Sequence, residues 1–127
     1  MKKVAIALFA IIFITGCATK APIAKPETLA ACYHGVVGDS NSVITVDKQD
    51  GNKVSGSMAF VFAQKDSSYG TYEGAFVDGK LKVTYTFWSE GLQSVGDYEF
   101  IKNEENFTGQ GYLYKPSTDC AKFLKNN

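Results

Sequence analysis

The sequence predicts an all-β fold, a small antiparallel up-and-down barrel of seven or eight strands. Three observations point to it. Apolar and polar residues alternate with a period of two through most of residues 31–127, turn signals recur at short spacing, and no long segment carries a helical period. A flatter β-sandwich is the alternative arrangement of the same strands.

The first 16 residues have the pattern of an export signal. Lys2 and Lys3 precede the apolar run Val4–Ile14, which is shorter than the roughly 20 residues needed to span a membrane. The run ends in Ile14-Thr15-Gly16-Cys17, which resembles a bacterial lipobox. That resemblance implies cleavage before Cys17 and acylation of Cys17 with fatty acids such as palmitate. An ordinary signal peptide followed by an incidental cysteine is the alternative.

The residues after the lipobox predict an anchored protein. Several acyl chains on Cys17 would hold it on a membrane, because each buried CH2 contributes about 0.8 kcal/mol. In the lipoprotein sorting rule, Ala18 in place of an aspartate favours the outer membrane. Residues 17–30 contain prolines, alanines and lysines without a sustained period, which is typical of a flexible tether. The predicted organisation is therefore signal peptide 1–16, lipidated tether 17–30 and barrel domain 31–127.

Charge argues against a nucleic-acid partner. The precursor has a formal net charge of zero, and removal of Lys2 and Lys3 leaves 11 lysines against 13 acidic residues. The chain contains no arginine, the residue on which recognition of phosphate and bases most depends.

The three cysteines predict one disulfide. If Cys17 is acylated, Cys32 and Cys120 remain, and an exported pair in a small domain favours a bridge. Two separately buried free thiols are the alternative.

The strand pattern is clearest in the segment that follows the turn Asp78-Gly79. Leu81, Val83, Tyr85 and Phe87 share one face of a half-buried strand. The same alternation occurs in the other predicted strands, near residues 42–48, 53–63, 69–77, 97–100 and 107–114. Residues 117–125 fit either a last strand or a short helix capped by Ser117.

A weak repeat of the form apolar-x-Gly-x-apolar places a glycine on the inward face of several strands. The glycines are Gly35, Gly56, Gly74 and, in a degenerate copy, Gly109. Inward glycines recurring about once per hairpin indicate strands that coil around a narrow core. This pattern favours a barrel of the lipocalin or avidin kind.

The chain lacks the residue patterns of common catalytic and metal sites. His34 is the single histidine, and no G-x-S-x-G motif accompanies it. A zinc site needs several His or Cys ligands, and pairing of Cys32 with Cys120 leaves too few. Asp97 and Glu99 share a strand face, which fits a solvated acidic stripe better than a catalytic carboxylate pair. We therefore expect no enzyme activity, no metal and no cofactor besides the lipid on Cys17.

Five residues are candidates for binding. Trp88, the single tryptophan, falls on the polar face of its strand beside Glu90, as an exposed binding anchor would. A bulge that turns Trp88 back into the barrel is the alternative. Tyr72, Tyr85 and Tyr98 point inward, where they either line a small cavity or fill the core.

Two segments carry a family resemblance. Residues 50–56 (DGNKVSG) and 85–91 (YTFWSEG), with the lipobox, resemble a group of small, uncharacterised bacterial lipoproteins. A thinner resemblance is to the membrane-bound inhibitors of C-type lysozyme, which are also small disulfide-linked β-barrel lipoproteins. Residues 67–72 and 88–91 carry it, although Glu90 stands where those inhibitors usually have a basic residue.

These observations predict a non-enzymatic lipoprotein that binds a small apolar ligand or a cell-envelope component. It would be tethered to the outer membrane, on its periplasmic face or at the cell surface. A lysozyme-inhibitor-like protein and a structural envelope protein without ligand are the alternatives. A ligand carrier requires a cavity reached from one barrel end and lined by Tyr and Phe.

Overall fold

The computed structural model describes residues 27–124, which form an antiparallel β-barrel. The predicted signal peptide, Cys17 and the tether up to residue 26 lie outside the described residues. Within residues 27–124 there are nine strands and one short 3-10 helix. They are β1 (Cys32–Val37), β2 (Ser40–Thr45), β3 (Lys48–Asp50), β4 (Lys53–Val61), β5 (Ser68–Val77), β6 (Lys80–Ser89), β7 (Leu92–Asn103), β8 (Asn106–Gly109), β9 (Tyr112–Pro116) and the helix Cys120–Phe123.

Eight of these strands close the barrel and the ninth, β3, extends it. Each strand from β4 to β8 pairs with its successor, β9 pairs with β1, and β1 pairs with β2. The pairing of β2 with β4 completes the circle. The predicted up-and-down barrel is therefore confirmed, and the sandwich alternative is not the arrangement adopted.

A bulge separates β2 from β3, which are two halves of one interrupted strand against β4. Ile44 faces Met58 and Lys48 faces Ser55, so three residues oppose two. The hydroxyl of Thr45 accepts a hydrogen bond from the Ser57 amide at 2.8 Å inside this bulge. The bulge shifts the alternation by one residue: Ile44 lies opposite the inward Met58, whereas Lys48, four residues later, lies opposite Ser55 on the outward face.

Inward glycines let neighbouring strands approach each other closely. A Cβ on Gly56 would lie 2.1 Å from the carbonyl oxygen of Thr45, and one on Gly74 would lie 2.1 Å from that of Lys82. Any side chain at these two positions would therefore collide with backbone. The repeat found in the sequence thus includes positions where only glycine fits between neighbouring strands.

Aromatic side chains fill the barrel interior. Tyr72 donates its hydroxyl to the Thr45 carbonyl at 2.6 Å, and Tyr85 donates to the Met58 carbonyl at 3.0 Å. The hydroxyl of Tyr114 shares a 2.7 Å hydrogen bond with that of Ser42. These partners satisfy the polar ends of rings that would otherwise be costly to bury. Burial raises the pKa of all three tyrosines well above its ordinary value.

One end of the barrel is covered by the segment that precedes β1. Leu29 is buried in the core, and its amide donates to the side chain of Gln49 at 2.9 Å. Glu27 forms a 2.6 Å ion pair with Lys102. Residues 27–30 were expected in the tether, but their packing places them in the domain. We call this the closed end.

The disulfide joins Cys32 at the start of β1 to Cys120 in the 3-10 helix. Residues 117–124 contain no strand, and Cys120–Phe123 among them form the 3-10 helix. Ser117 does not cap this helix; its hydroxyl instead accepts a hydrogen bond from the Asp119 amide. Phe123 and Leu124 then pack with Val43 and Ala59 on the outside of the barrel.

Candidate functional site

The barrel end opposite Glu27 carries four turns and no covering segment among the described residues. The turns are residues 38–39, 62–67, 90–91 and 110–111, which connect β1–β2, β4–β5, β6–β7 and β8–β9. We call this the open end. Because successive strands run in opposite directions, alternate connections necessarily meet here.

An aromatic cavity of about 480 Å³ opens at this end. Phe60 lies at its base, with its ring centroid 6.0 Å from that of Tyr98 and 6.1 Å from that of Tyr112. The ring of Phe62 stacks on that of Phe60 toward the open end, with the two centroids 6.5 Å apart. Phe87 also lines the wall of the cavity. We call these five rings the aromatic mouth.

Polar groups surround the aromatic mouth at its rim. They include Ser68, whose hydroxyl lies 3.3 Å from that of Tyr85, and Ser89, which donates to the Ser67 carbonyl at 3.1 Å. Asp66 and Gln110 also line the rim. An apolar floor with polar groups at the edge is the usual arrangement of a small-molecule pocket.

The cavity does not continue down the barrel. Tyr72 and Tyr85 lie below it, and their hydroxyls are bonded to backbone carbonyls as described above. Phe100 and Phe107 are completely buried in the same interior. The barrel is therefore filled below the mouth, and its free space lies at the open end.

The structure separates the five candidate residues into three environments. Tyr98 lines the aromatic mouth, whereas Tyr72 and Tyr85 belong to the filled interior. Trp88 and Glu90 lie outside the barrel. The candidates therefore do not form one site.

Trp88 projects outward from β6 and is 52% exposed. It pairs with Tyr69 on β5 and Gln93 on β7 in an uninterrupted register, so no bulge turns it inward. A groove of about 800 Å³ extends from Trp88 past Tyr69 to Leu124. This outer groove and the aromatic mouth lie on opposite sides of the sheet.

Glu90 occupies a tight turn and carries a perturbed carboxyl. Its φ is +54°, and it is followed by Gly91 at +76°, so the β6–β7 turn has two residues in the left-handed region. A hydrogen bond to Asp66, with repulsion from that neighbouring charge, raises the pKa of Glu90.

Sequence reasoning missed four of the five mouth residues: Phe60, Phe62, Phe87 and Tyr112. The signal was available in part, since all four occupy inward positions near strand ends that lead into the turns of the open end. The alternation alone did not distinguish a ring at the mouth from one in the filled interior.

His34 and the acidic residues show no catalytic arrangement in the described part of the chain. His34 bonds to Asn41 at 2.8 Å and stacks on Phe123 with centroids 4.8 Å apart. Asp97 accepts from the Thr84 hydroxyl at 3.0 Å, and Glu99 lies 3.8 Å from Lys82. Within residues 27–124, no group of three or more His, Cys, Asp or Glu side chains is arranged to hold a metal.

The described residues also contain no helix long and apolar enough to cross a membrane. Comparisons of the chain with protein-family models, with curated proteins and with solved structures found no match. The candidate site is therefore defined by its own geometry.

Proposed function

We propose that this protein is a membrane-anchored bacterial lipoprotein that binds a small apolar ligand without catalysing a reaction. The observation that carries the proposal is the aromatic mouth, where five rings surround a cavity of about 480 Å³. Pockets for small molecules usually measure about 300–1,000 Å³. The ligand sits at the end of the barrel, because the interior beneath is filled.

The rim defines the ligand further. Phe60, Phe62 and Phe87 present ring faces and edges to the cavity, which favour a flat or unsaturated apolar group. Asp66 and Gln110 contact the end of the ligand that remains in water. Asp66 disfavours an anionic group there, so the expected ligand is an amphiphile whose polar end is neutral or positively charged.

The position of the anchor supports capture from the aqueous side. Glu27 follows Cys17 by ten positions, and a chain of that length spans at most about 36 Å. Glu27 lies at the closed end, opposite the aromatic mouth. A lipid on Cys17 would therefore hold the closed end nearer the membrane. Substitution Cys17→Ala tests the anchor: the protein should leave the membrane fraction, and unchanged fractionation would contradict the proposal.

Ligand binding is tested with phenylnaphthylamine, a fluorescent apolar probe, on the unacylated chain that begins at Ala18. Phe62→Ser should weaken probe binding at least tenfold, because it removes the upper ring of the mouth. Trp88→Ser is the matched control, since it removes an exposed ring from the outer groove, and it should leave binding unchanged. Equal affinity in all three proteins would reject the mouth as the site.

Exposed Trp88 supports a second candidate, a protein-binding role such as lysozyme inhibition. Trp88 and Glu90 lie at the tip of the β6–β7 hairpin, where another protein can reach them. In this case the purified protein slows a C-type lysozyme, and Trp88→Ala relieves the inhibition while Phe62→Ser does not. Absence of inhibition at micromolar protein excludes this role.

A further inference from the structure

We propose that two copies of this chain pair through the free edge of β7, antiparallel, with Val95 on the two-fold axis. This pairing is independent of the ligand proposed for the aromatic mouth. It would join the two barrels edge to edge at their open ends.

The free edge arises from unequal strand lengths. β7 has 12 residues, but only Ile101–Asn103 pair with β8. The β8 and β9 strands are 4 and 5 residues long, so their hairpin stops short of the β6–β7 hairpin. Among the described residues, the segment 92–98 pairs with β6 on one side and with no strand on the other, whereas Gly109 of β8 lies against Glu99 and Phe100. An unpaired strand edge of this kind is a template for pairing with another chain.

The hairpin register shows which backbone groups are available. Ser89 and Leu92 flank the two-residue turn, so they form a hydrogen-bonded pair, and such pairs alternate along the ladder. Leu92, Ser94 and Gly96 therefore bond to β6. Gln93, Val95 and Asp97 direct their amides and carbonyls away from β6, to the side where Ile101 meets Thr108 of β8.

The side chains of this edge are unusually apolar for exposed positions. Leu92 is 70% exposed and Val95 is 65% exposed, the two highest values among the exposed large hydrophobic residues of the described chain. Gln93 and Ser94 lie between these two residues, and Gly96 follows Val95. The stretch from Leu92 to Gly96 carries no charge or proline, although such residues commonly guard the edges of natural sheets, and the acidic Asp97 follows it.

A second copy fits this edge because the sequence is complementary to itself. In the register centred on Val95, Gln93 faces Asp97 of the second copy. Leu92 faces Tyr98 of that copy. Asp97, the acidic residue of this free segment, therefore meets a neutral residue. A register centred on Asp97 would instead place two carboxylates face to face, which destabilises a sheet.

The first test uses cysteine crosslinking of the full chain in the membranes of expressing cells. Directly opposed hydrogen-bonded residues have Cα atoms about 5.5 Å apart, within the range that a disulfide spans. Val95→Cys should give at least tenfold more dimer on a non-reducing gel than Val36→Cys. Val36 is a suitable control because it is 55% exposed but lies on β1, away from the edge. Equal crosslinking of the two variants overturns the proposal.

A second test depends on the two-fold axis itself. Val95→Lys places two lysines opposite each other, and Val95→Glu places two glutamates there. Each variant alone should therefore capture a differently tagged copy of itself at least tenfold less than the wild type captures its own tagged copy. Val95→Lys mixed with Val95→Glu should restore capture, because the two charges then attract across the axis. Undiminished capture between like-charged copies, or no recovery in the mixed pair, overturns the proposal. A monomer that instead binds extended peptides of other proteins would also overturn it.

Discussion

Glu27 forms an ion pair with Lys102, whose side chain is only 9% exposed, and this contact fastens the segment before β1 across the closed end of the barrel. The same ammonium group donates to the Glu104 carbonyl. Leu29 is buried beneath this cover. The closed end is thus assembled from residues far apart in sequence. Of the two paired charges, Lys102 is shielded from water and Glu27 is exposed.

This difference in exposure predicts that replacing Glu27 and replacing Lys102 lower the free energy of unfolding by different amounts. Glu27→Gln should destabilise the fold by about 1–2 kcal/mol, because it leaves the shielded Lys102 ammonium without its counter-charge. Lys102→Met should cost less, since Glu27 is 55% exposed and water can solvate it. Urea unfolding of both variants measures the difference. A larger loss for Lys102→Met would contradict this account of the closed end.

Loss of the disulfide should destabilise the barrel strongly. Cys32 and Cys120 are 88 residues apart, and closing a loop of this length restricts the unfolded chain by about 4–5 kcal/mol in the chain-entropy model. We expect Cys32→Ser/Cys120→Ser to lower the free energy of unfolding by about 4 kcal/mol. Urea unfolding with and without reductant checks this. The wild type should lose stability when reduced, whereas the double variant should not respond.

The inward glycines predict a sharp contrast between two similar substitutions. Gly56→Ala should destabilise by at least about 2 kcal/mol, because its Cβ would overlap the Thr45 carbonyl oxygen. Gly96→Ala is the control, since the nearest atom to its Cβ is the Tyr98 hydroxyl oxygen at 3.4 Å, an ordinary contact. It should change stability by less than about 1 kcal/mol. Thermal unfolding compares the two, and similar melting temperatures would refute the close approach at Gly56.

The buried tyrosines predict sensitivity to high pH. Burial raises the pKa of Tyr72, Tyr85 and Tyr114 in the folded barrel, whereas an unfolded tyrosine ionises near pH 10. The unfolded state therefore loses these protons first. The stabilisation is complete below about pH 10 and is lost as the pH rises above that value. Unfolding followed by tyrosinate absorbance should show these rings ionising only as the barrel opens. Ionisation in the intact fold would contradict their burial.

Local sequence pattern predicted much of the fold for a physical reason. The residues Leu81, Val83, Tyr85 and Phe87 face inward because successive side chains of a strand point to opposite faces. Glycine in the turns and at inward positions then indicated short hairpins that coil tightly. The bulge between β2 and β3 was not predicted, because the apolar pattern of residues 42–48 does not show where an extra residue interrupts the pairing with β4.

The candidate site was predicted less well than the fold. Tyr98 was identified among the lining residues, but Tyr72 and Tyr85 have the same alternation and lie in the filled interior. Phe62 and Phe87 line the mouth, and their positions near strand ends were the only local indication of it. What distinguishes these rings is their height along the barrel axis, which depends on the register and tilt of strands far apart in sequence.

The sequence by itself determined the strand periodicity, the tight turns and the positions of the three cysteines, because each depends on residue types and their spacing along the chain. Only the tertiary structure decided that the barrel is filled by tyrosines below Phe60, that Trp88 stays outside, and that β7 extends past β8 with a free edge. These features depend on how side chains from non-adjacent strands pack together and on where paired strands end. No single segment of the chain carries that information.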